Sequence, residues 1–220
     1  MSDLTLTIGD KNLSSWSFRP WFLMTQAGIP FAEENIKLDR PDSRKTLNEK
    51  SPSGLVPFLT HKTEAGAVQV WDSLAIAEYL NDVWPEKLLW PTDIVARAFA
   101  RSLAAEMHSG FSALRTVWPM MFTREGLRHT TSGGVQRDID RISQLWTEAR
   151  TRFGANSPTD EGFLFGKLSV ADAMYAPVVS RFSTYGPVAV SDKAAAYMEV
   201  MQRTDAWRAW GEGARTEIGV

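Results

Sequence analysis

Two adjacent serines stand in the stretch LSSWSFRPW, residues 13–21, between the first apolar run of the chain and a proline. Because proline lacks an amide hydrogen and is tolerated only in the first turn of a helix, Pro20 predicts a helix that begins at about residue 17, with Ser17 as its N-cap. Ser14 and Ser15 then lie in the loop before this helix. The N–H groups and the dipole at a helix N-terminus stabilise an anion, to which a serine hydroxyl donates a further hydrogen bond. The alternative is that both serines are only turn and capping residues.

The stretch GLVPFL raises a second question, at the Val56–Pro57 bond. The residue before a proline is extended, so a trans bond makes this stretch simply the entry to a strand. A cis bond, which only about 5% of X–Pro bonds adopt, marks a tight feature that is usually kept for a reason. The sequence leaves both alternatives open.

Asp72 and Ser73 introduce a third stretch, WDSLAIAEYL, in which Asp72 is a good N-cap and Ser73 opens the first turn of a helix. A plain cap is one interpretation. The other is a site for a small zwitterion, whose carboxylate meets Ser73 and the N–H groups of the helix start while its ammonium meets the Asp72 carboxylate.

Composition excludes several kinds of chemistry. The chain has no cysteine, so disulfides, a thiolate nucleophile and cysteine-ligated metals are absent. Its three histidines are widely separated and none has a partner at a metal-ligand spacing, so we predict no metal site. Neither of the nucleotide-binding motifs GxGxxG and GxxxxGK[ST] occurs in the sequence, so nothing in it favours a nucleotide as ligand. A formal net charge of -2 gives no reason to expect nucleic acid or an acidic membrane as a partner.

The N-terminus predicts a cytoplasmic protein. MSDLTLTIGD lacks the basic region and apolar core of a secretory signal. No apolar stretch approaches the ~18 residues needed to cross a bilayer, so we expect no membrane partner.

Periodicity divides the chain into two parts. Residues 1–85 predict the order β-α-β-α-β-β-α, beginning with the alternating strand at 4–8. The prolines of WPEKLLWP place a linker at 86–92. The remainder, 93–220, predicts helices only, at about 93–122, 135–153, 169–182, 190–203 and 205–213. The fold class is therefore an α/β domain followed by an all-α domain.

Ser169 and Asp172 predict a capping box at the start of one of these helices, with Asp in place of the usual Glu or Gln. The spacing favours a structural role for Asp172 over a catalytic one.

The three stretches, together with GKLSVADAMYAPVVSRF in the second half, resemble the cytosolic glutathione S-transferase family. The resemblance covers essentially the whole chain. It implies a thioredoxin-like N-terminal domain that binds glutathione, a helical C-terminal domain that contributes the electrophile pocket, and a homodimer.

Within the family, the serine pair is most similar to the zeta class, whose motif runs Ser-Ser-Cys-x-x-Arg. Ser14, Ser15 and Arg19 match this motif, and Trp16 replaces its cysteine. Because that cysteine lies at the active site of zeta enzymes, an indole there argues against the zeta isomerase activity. The lack of cysteine also excludes omega-like and glutaredoxin-like members, which work through their own thiol.

The resemblance assigns roles to the remaining candidates. Val56 would pair its backbone with the cysteinyl part of glutathione, beside a cis Pro57, and Asp72 and Ser73 would hold the γ-glutamyl end. Ser14 would donate to the sulfur and stabilise the thiolate, with Ser15 as a further glutathione contact and the alternative donor. The candidates for the glycyl carboxylate are three basic residues, Arg40, Arg44 and Lys45.

For the pocket we predict Trp16, Met107 and Phe111 as lining residues, with core packing as the alternative for the last two. The predicted function is transfer of the glutathione thiolate to a hydrophobic electrophile. Two alternatives remain: a glutathione-dependent isomerase (maleylacetoacetate isomerase-like) or dehalogenase on the same site, and a non-catalytic module that binds glutathione or an apolar ligand.

Overall fold

A four-stranded sheet forms the first half of the molecule. The computed structural model describes residues 3–38 and 40–219. The first half contains β1 (Leu4–Ile8), α1 (Ser15–Gln26), β2 (Ala32–Asn35), α2 (Ser43–Lys50), β3 (Phe58–Thr63), β4 (Gly66–Trp71) and α3 (Ser73–Val83). This confirms the predicted order. The sheet order is β2-β1-β3-β4, in which β1 and β2 are parallel and the other pairs antiparallel.

Helices form the second half. After a short 3₁₀ helix (Pro85–Lys87) come α4 (Ile94–Ser109), α5 (Ser112–Val117), α6 (Gly133–Arg152), α7 (Val170–Thr184), α8 (Asp192–Gln202) and α9 (Asp205–Ile218). The α/β part followed by an all-helical part is the predicted fold class. In the described part of the chain, no helix has the length and apolar character that a bilayer span requires.

Helix α1 lies where the two halves meet. It contacts α3 on one side and α7 and α9 on the other. Phe18, Phe22 and Leu23 are fully buried, and Phe18 stacks on Trp210 of α9 with ring centroids 4.7 Å apart. The helix that carries the serine pair is therefore fixed by packing from both halves.

The start of α1 differs from the prediction. The helix begins at Ser15 with Ser14 as N-cap, so Ser17 lies inside it and Pro20 is its sixth residue. Ser17 Oγ instead accepts hydrogen bonds from the N–H of Gly9 (3.0 Å) and the hydroxyl of Ser14 (2.8 Å). These bonds tie the β1–α1 loop to the first turn. Burial of α1 outweighs the hydrogen bond that Pro20 removes from the helix.

The predicted helix at 93–122 is two helices. The break falls at Gly110, where an added Cβ would lie 2.6 Å from the carbonyl oxygen of Glu106, and at Phe111, whose φ is 54°. Helix α4 ends there, and α5 begins at Ser112 with Phe111 as its N-cap. Periodicity did not reveal the break because apolar residues continue at helical spacing across it.

The capping box of α7 is present. The Asp172 carboxylate accepts from the N–H of Ser169 (2.8 Å), its hydroxyl (2.8 Å) and the N–H of Leu164 (3.0 Å). Asp172 is fully buried. Its contacts are with the backbone and side chains of the helical half, as a structural role requires.

Candidate active site

The two serines of the pair have different surroundings. Ser14 is 8% exposed, and its hydroxyl donates to Ser17. Ser15 is the first residue of α1, is half-buried, and its Oγ accepts from Nη2 of Arg181 at 3.3 Å. The hydroxyl proton of Ser15 therefore has no acceptor in the described structure.

A cavity opens at the start of α1. Its volume is about 310 Å³, and we call it the arginine cleft; it is lined by Ser15, Trp16, Ser112, Arg115, Thr116 and Arg181. The lining comes from α1 of the first half and from α5 and α7 of the second. Trp16, predicted from the sequence as a pocket wall, faces this cleft.

Trp16 lies between two guanidinium groups. The central carbon of Arg19 is 4.0 Å from the indole ring centroid, and that of Arg115 is 4.8 Å from it. His108 of α4 meets the indole edge-on, with centroids 5.3 Å apart. Cation–π contacts of this kind hold charged groups beside an aromatic ring in a partly desolvated site.

Arg19 and Arg181 are buried, and neither forms an ion pair with a carboxylate in the described part of the chain. Arg181 is 4% exposed and donates to the carbonyls of Trp118 (2.8 Å) and Pro177 (3.1 Å) as well as to Ser15. Arg19 is 2% exposed, its Nη1 donates to Ser73 Oγ at 3.4 Å, and its Nε has no acceptor among residues 3–38 and 40–219.

Burial and mutual repulsion act on these arginines. Burial, then Arg115 and then Arg181, lower the pKa of Arg19 to about 9. Burial, followed by Arg115, lowers the pKa of Arg181 to about 10. Burial also lowers the pKa of Arg115. All three remain cationic at neutral pH, so the cleft carries an excess of positive charge.

The start of α3 lies on the other side of Trp16. Asp72 is the N-cap, and its Oδ1 accepts from the N–H groups of Leu74 (2.8 Å) and Ala75 (3.3 Å). Its other oxygen is 3.2 Å from Nε2 of His108. Asp72 has φ 75°, a left-handed conformation that costs about 1 kcal/mol or more outside glycine and tends to be retained at binding sites.

Val56 and Pro57 precede β3. Their peptide bond is cis, so of the two alternatives the structure has the one that the resemblance implied. Pro57 is buried and Val56 half-buried. Val56 lies just outside the β1–β3 ladder, whose register begins at Phe58.

Several predicted residues lie away from the cleft surface. Met107 is fully buried and Phe111 is 7% exposed against Tyr175, so both belong mainly to the core, the alternative given for them above. The three candidates for the glycyl carboxylate are exposed on α2 or just before it. Of these, Lys45 pairs with Glu49 at 3.8 Å.

Sequence reasoning missed three site residues: His108 as a partner of Asp72, and Arg115 and Arg181 in the cleft. Of these, only Arg181 could have been predicted from the sequence, because it is a charged residue within the apolar run of α7. An unpaired charge is rarely buried without a function. Among residues 3–38 and 40–219, no group of three or more acidic, His or Cys side chains could hold a metal ion.

Sequence profiles place the chain among known proteins. The profile described as "Glutathione S-transferase, N-terminal domain" matches residues 13–83, and that described as "Glutathione S-transferase, C-terminal domain" matches residues 132–210. Together these profiles cover both halves of the fold, including the serine pair and α7. The chain belongs to the glutathione S-transferase family.

Individual relatives are distant. The chain is 25% identical over 169 residues to glutathione S-transferase L1 of Arabidopsis thaliana (76% of this chain, 62% of the relative). It is 27% identical over 104 residues to a probable maleylacetoacetate isomerase of Caenorhabditis elegans (47% of each chain). It is also 36% identical over 90 residues to a probable glutathione transferase omega-2 of that organism (40% and 34%). The chain thus spans less than two thirds of the length of these curated relatives.

Solved structures share the fold over the whole chain. A glutathione transferase homolog from Burkholderia GL BGR1, solved with bound glutathione, has a TM-score of 0.67 at 22% identity. The superposition covers 97% of this chain and 98% of the homolog. Glutathione transferase Omega 2S from Trametes versicolor has a TM-score of 0.69 at 19% identity, with 100% of this chain covering 96% of it. At these identities the likeness is one of fold.

Proposed function

We propose that the chain is a glutathione transferase whose thiol donor site is the start of α1. One observation supports this most directly: contacts through Trp16 join the starts of α1 and α3. Ser73 bonds Arg19, which stacks on Trp16, and Asp72 meets His108, which contacts the same indole. Glutathione has a carboxylate and an ammonium at one end and a thiol further along, so it has groups for both helix starts.

In this proposal Asp72 and Ser73 bind the γ-glutamyl end of glutathione. The carboxylate takes the hydroxyl and the N–H of Ser73, because the N–H groups of Leu74 and Ala75 already donate to Asp72. The ammonium takes the Asp72 carboxylate. The backbone of Val56 pairs with the cysteinyl residue. The thiol then points to the start of α1, as it does in the family that the chain belongs to.

The hydroxyl of Ser15 is better placed than that of Ser14 to meet the sulfur. The hydroxyl of Ser14 donates to Ser17 in the first turn of α1, whereas Ser15 lines the cleft. Because Ser15 Oγ accepts from Arg181, its O–H is left to donate to the thiolate. The N–H of Trp16, which has no acceptor among the described residues, and the nearby arginines add to the positive potential. We therefore revise the predicted donor from Ser14 to Ser15.

The reaction needs no protein nucleophile. Glutathione loses its thiol proton to solvent because the site stabilises the thiolate and lowers its pKa. The sulfur then attacks an electrophilic carbon, a C–S bond forms, and the leaving group departs with its electron pair. The protein's own contribution is to orient the thiolate and hold its charge.

Ser15→Ala tests the donor. We expect the pKa of bound glutathione, read from thiolate absorbance against pH, to rise by about one unit, and kcat to fall roughly 10- to 100-fold. Ser14→Ala is the matched control and should leave the pKa of bound glutathione unchanged while lowering stability. If Ser14→Ala raises that pKa and Ser15→Ala does not, Ser14 is the donor.

A second candidate is glutathione-dependent isomerisation of an unsaturated acid. The arginine cleft supports it, since a carboxylate-bearing substrate fits a positively charged pocket, and one relative is named a probable maleylacetoacetate isomerase. Turnover of maleylacetone without consumption of glutathione would distinguish it from the transferase. Binding of glutathione with neither reaction would indicate the non-catalytic module.

The proposal includes a cytoplasmic homodimer. It follows the resemblance to the family, and large apolar side chains left exposed at the end of β4 and at the start of α4 are available for an interface. Trp71 is 49% exposed and Ile94 is 71% exposed. Sedimentation of the purified protein measures the assembly state directly.

A further inference from the structure

We infer that the arginine cleft binds a carboxylate of the electrophilic substrate, so that the preferred electrophile is an anion rather than a neutral apolar molecule. This inference rests on the proposed function, because it assigns the second substrate of that site. It concerns Arg115 and Arg181, with the hydroxyls of Ser112 and Thr116, and not the residues proposed to hold glutathione.

Among the described residues, no carboxylate pairs with the two arginines that line the cleft, Arg115 and Arg181. In the described structure, Arg181 donates every hydrogen bond it makes to a neutral acceptor, and so does Arg115, whose Nη1 reaches the carbonyls of His108 (3.3 Å) and Gly110 (3.1 Å). Arg19 adds a third buried cation behind Trp16, with an orphaned Nε. Removing cations from water without a counter-charge costs several kcal/mol in general. An anion that enters the cleft recovers part of that cost.

The hydrogen-bond donors suit a carboxylate. Nε and Nη2 of Arg115 have no acceptor within residues 3–38 and 40–219, and this edge of a guanidinium is the one that binds a carboxylate through two parallel bonds. On α5, Ser112 is three residues before Arg115 and four before Thr116, so Ser112 neighbours both of them on the helix surface. Both line the same cavity.

The position of the cleft separates it from the glutathione contacts. Arg115 and Arg181 come from α5 and α7 of the helical half, whereas the groups proposed for glutathione come from the sheet half. Ser15 lies at the boundary, bonded to Arg181. A carboxylate on Arg115 therefore belongs to the molecule that the thiolate attacks.

Trp16 is the positioning residue of this site. Its indole contacts both Arg19 (4.0 Å) and Arg115 (4.8 Å), so the position of each guanidinium group depends on the same ring. This gives a physical reason for tryptophan at the place where the zeta motif has cysteine: the ring supports the cation that meets the electrophile.

A matched pair of aryl chlorides tests the inference: 4-chloro-3,5-dinitrobenzoate and its neutral counterpart without the carboxylate. In both, the thiolate sulfur bonds to the chlorine-bearing carbon and chloride leaves with the bonding electrons. We expect the wild-type kcat/KM to favour the benzoate by at least about 10-fold after correction for the uncatalysed rates. Arg115→Met should remove this preference mainly by raising KM for the benzoate, and Arg115→Lys should retain part of it.

Arg137→Met is the matched control, since Arg137 is an exposed arginine on α6 and its loss changes the net charge equally. It should leave the preference unchanged. An equal loss in Arg137→Met, or a wild type that uses both chlorides equally well, overturns the inference. A third result would also overturn it: Arg115→Met raises the KM for glutathione and leaves the preference between the two chlorides unchanged. In that case the carboxylate that Arg115 binds belongs to glutathione.

Failure of the proposed function has a different signature. In that case neither chloride is turned over and glutathione does not shift the Tm. The cleft is then tested by binding alone: 3,5-dinitrobenzoate should raise the Tm of the wild type and not of Arg115→Met, while 1,3-dinitrobenzene raises neither. Equal effects of both compounds on the wild type would contradict a carboxylate site.

Discussion

Several side chains at this site have contacts that their sequence motifs did not predict. Ser14 and Ser15 are neighbours with opposite environments, because the N-cap position turns one hydroxyl into the β1–α1 loop and leaves the other at the cleft. Asp72 caps α3 with one oxygen and reaches His108 with the other. A residue identified as a cap can thus also be a ligand contact.

Trp16→Ala is the informative substitution at this scale. It removes the ring between Arg19 and Arg115 and leaves like charges facing each other, so we expect a loss of about 2 kcal/mol in the free energy of unfolding. Urea denaturation measures it. Trp16→Phe keeps a ring and should lose less than half as much; an equal loss in both variants would mean that the cation–π contacts contribute nothing.

At the scale of elements, helix termini and packing determine where each candidate lies. α1 begins two residues earlier than Pro20 predicts, and α4 ends at Gly110, where a side chain would meet the Glu106 carbonyl. The capping box at Ser169–Asp172 fixes the start of α7 and so the register that brings Arg181 to Ser15.

The capping box predicts a pH dependence of stability. Burial is the main cause that raises the pKa of Asp172 from 3.8 to about 6, against the hydrogen bonds that lower it. Between these pH values the folded protein keeps a proton that the unfolded chain has lost, so this group's contribution to stability is present below about pH 4 and is lost as pH rises through about 6.

Asp172→Asn isolates that contribution, because asparagine does not titrate. We expect the difference in unfolding free energy, wild type minus variant, to be most favourable to wild type near pH 4 and to shrink by about 2 kcal/mol by pH 7. Denaturation curves at a series of pH values measure the difference. A difference that grows with pH would show that the hydrogen bonds prevail over burial.

Much of the fold followed from the sequence, and less of the site. Alternating and helical periodicity predicted every element of the first half in order, because those patterns report burial of one face. Ser15 and Arg181 are 166 residues apart, and no local pattern encodes their hydrogen bond. The break at Gly110–Phe111 was missed because it depends on the backbone conformation of a glycine with no room for a side chain and of a phenylalanine with positive φ, and not on apolar spacing.

Over the whole molecule, the two halves share one hydrophobic core and are also joined at the far end of α9. Glu217 accepts from the N–H of Lys11 (2.7 Å) and the amide of Asn35 (2.6 Å), and lies 3.5 Å from Nζ of Lys37. Lys11 itself pairs with Glu33 at 2.8 Å. These contacts attach the last helix to the sheet half, and none of them involves a residue that lines the arginine cleft.

Glu217→Gln should weaken this attachment without touching the cleft. It removes the ion pair and weakens two hydrogen bonds, so we expect the unfolding free energy to fall by about 1 to 2 kcal/mol with kcat and KM unchanged. Glu212→Gln, on an exposed face of the same helix, is the control and should have no effect. A change in kinetics with unchanged stability would mean that α9 acts on the site rather than on the assembly of the two halves.

The contact between Asp72 and His108 has a consequence for ligand entry. Before any ligand arrives, the Asp72 carboxylate already has an imidazole at 3.2 Å. An incoming ammonium therefore replaces His108 as the partner of Asp72 and does not meet an unpaired carboxylate. The affinity for the ammonium is therefore the difference between two pairs, Asp72 with the ammonium and Asp72 with His108. Removing the imidazole, as in His108→Ala, changes the energy of both the free and the occupied protein.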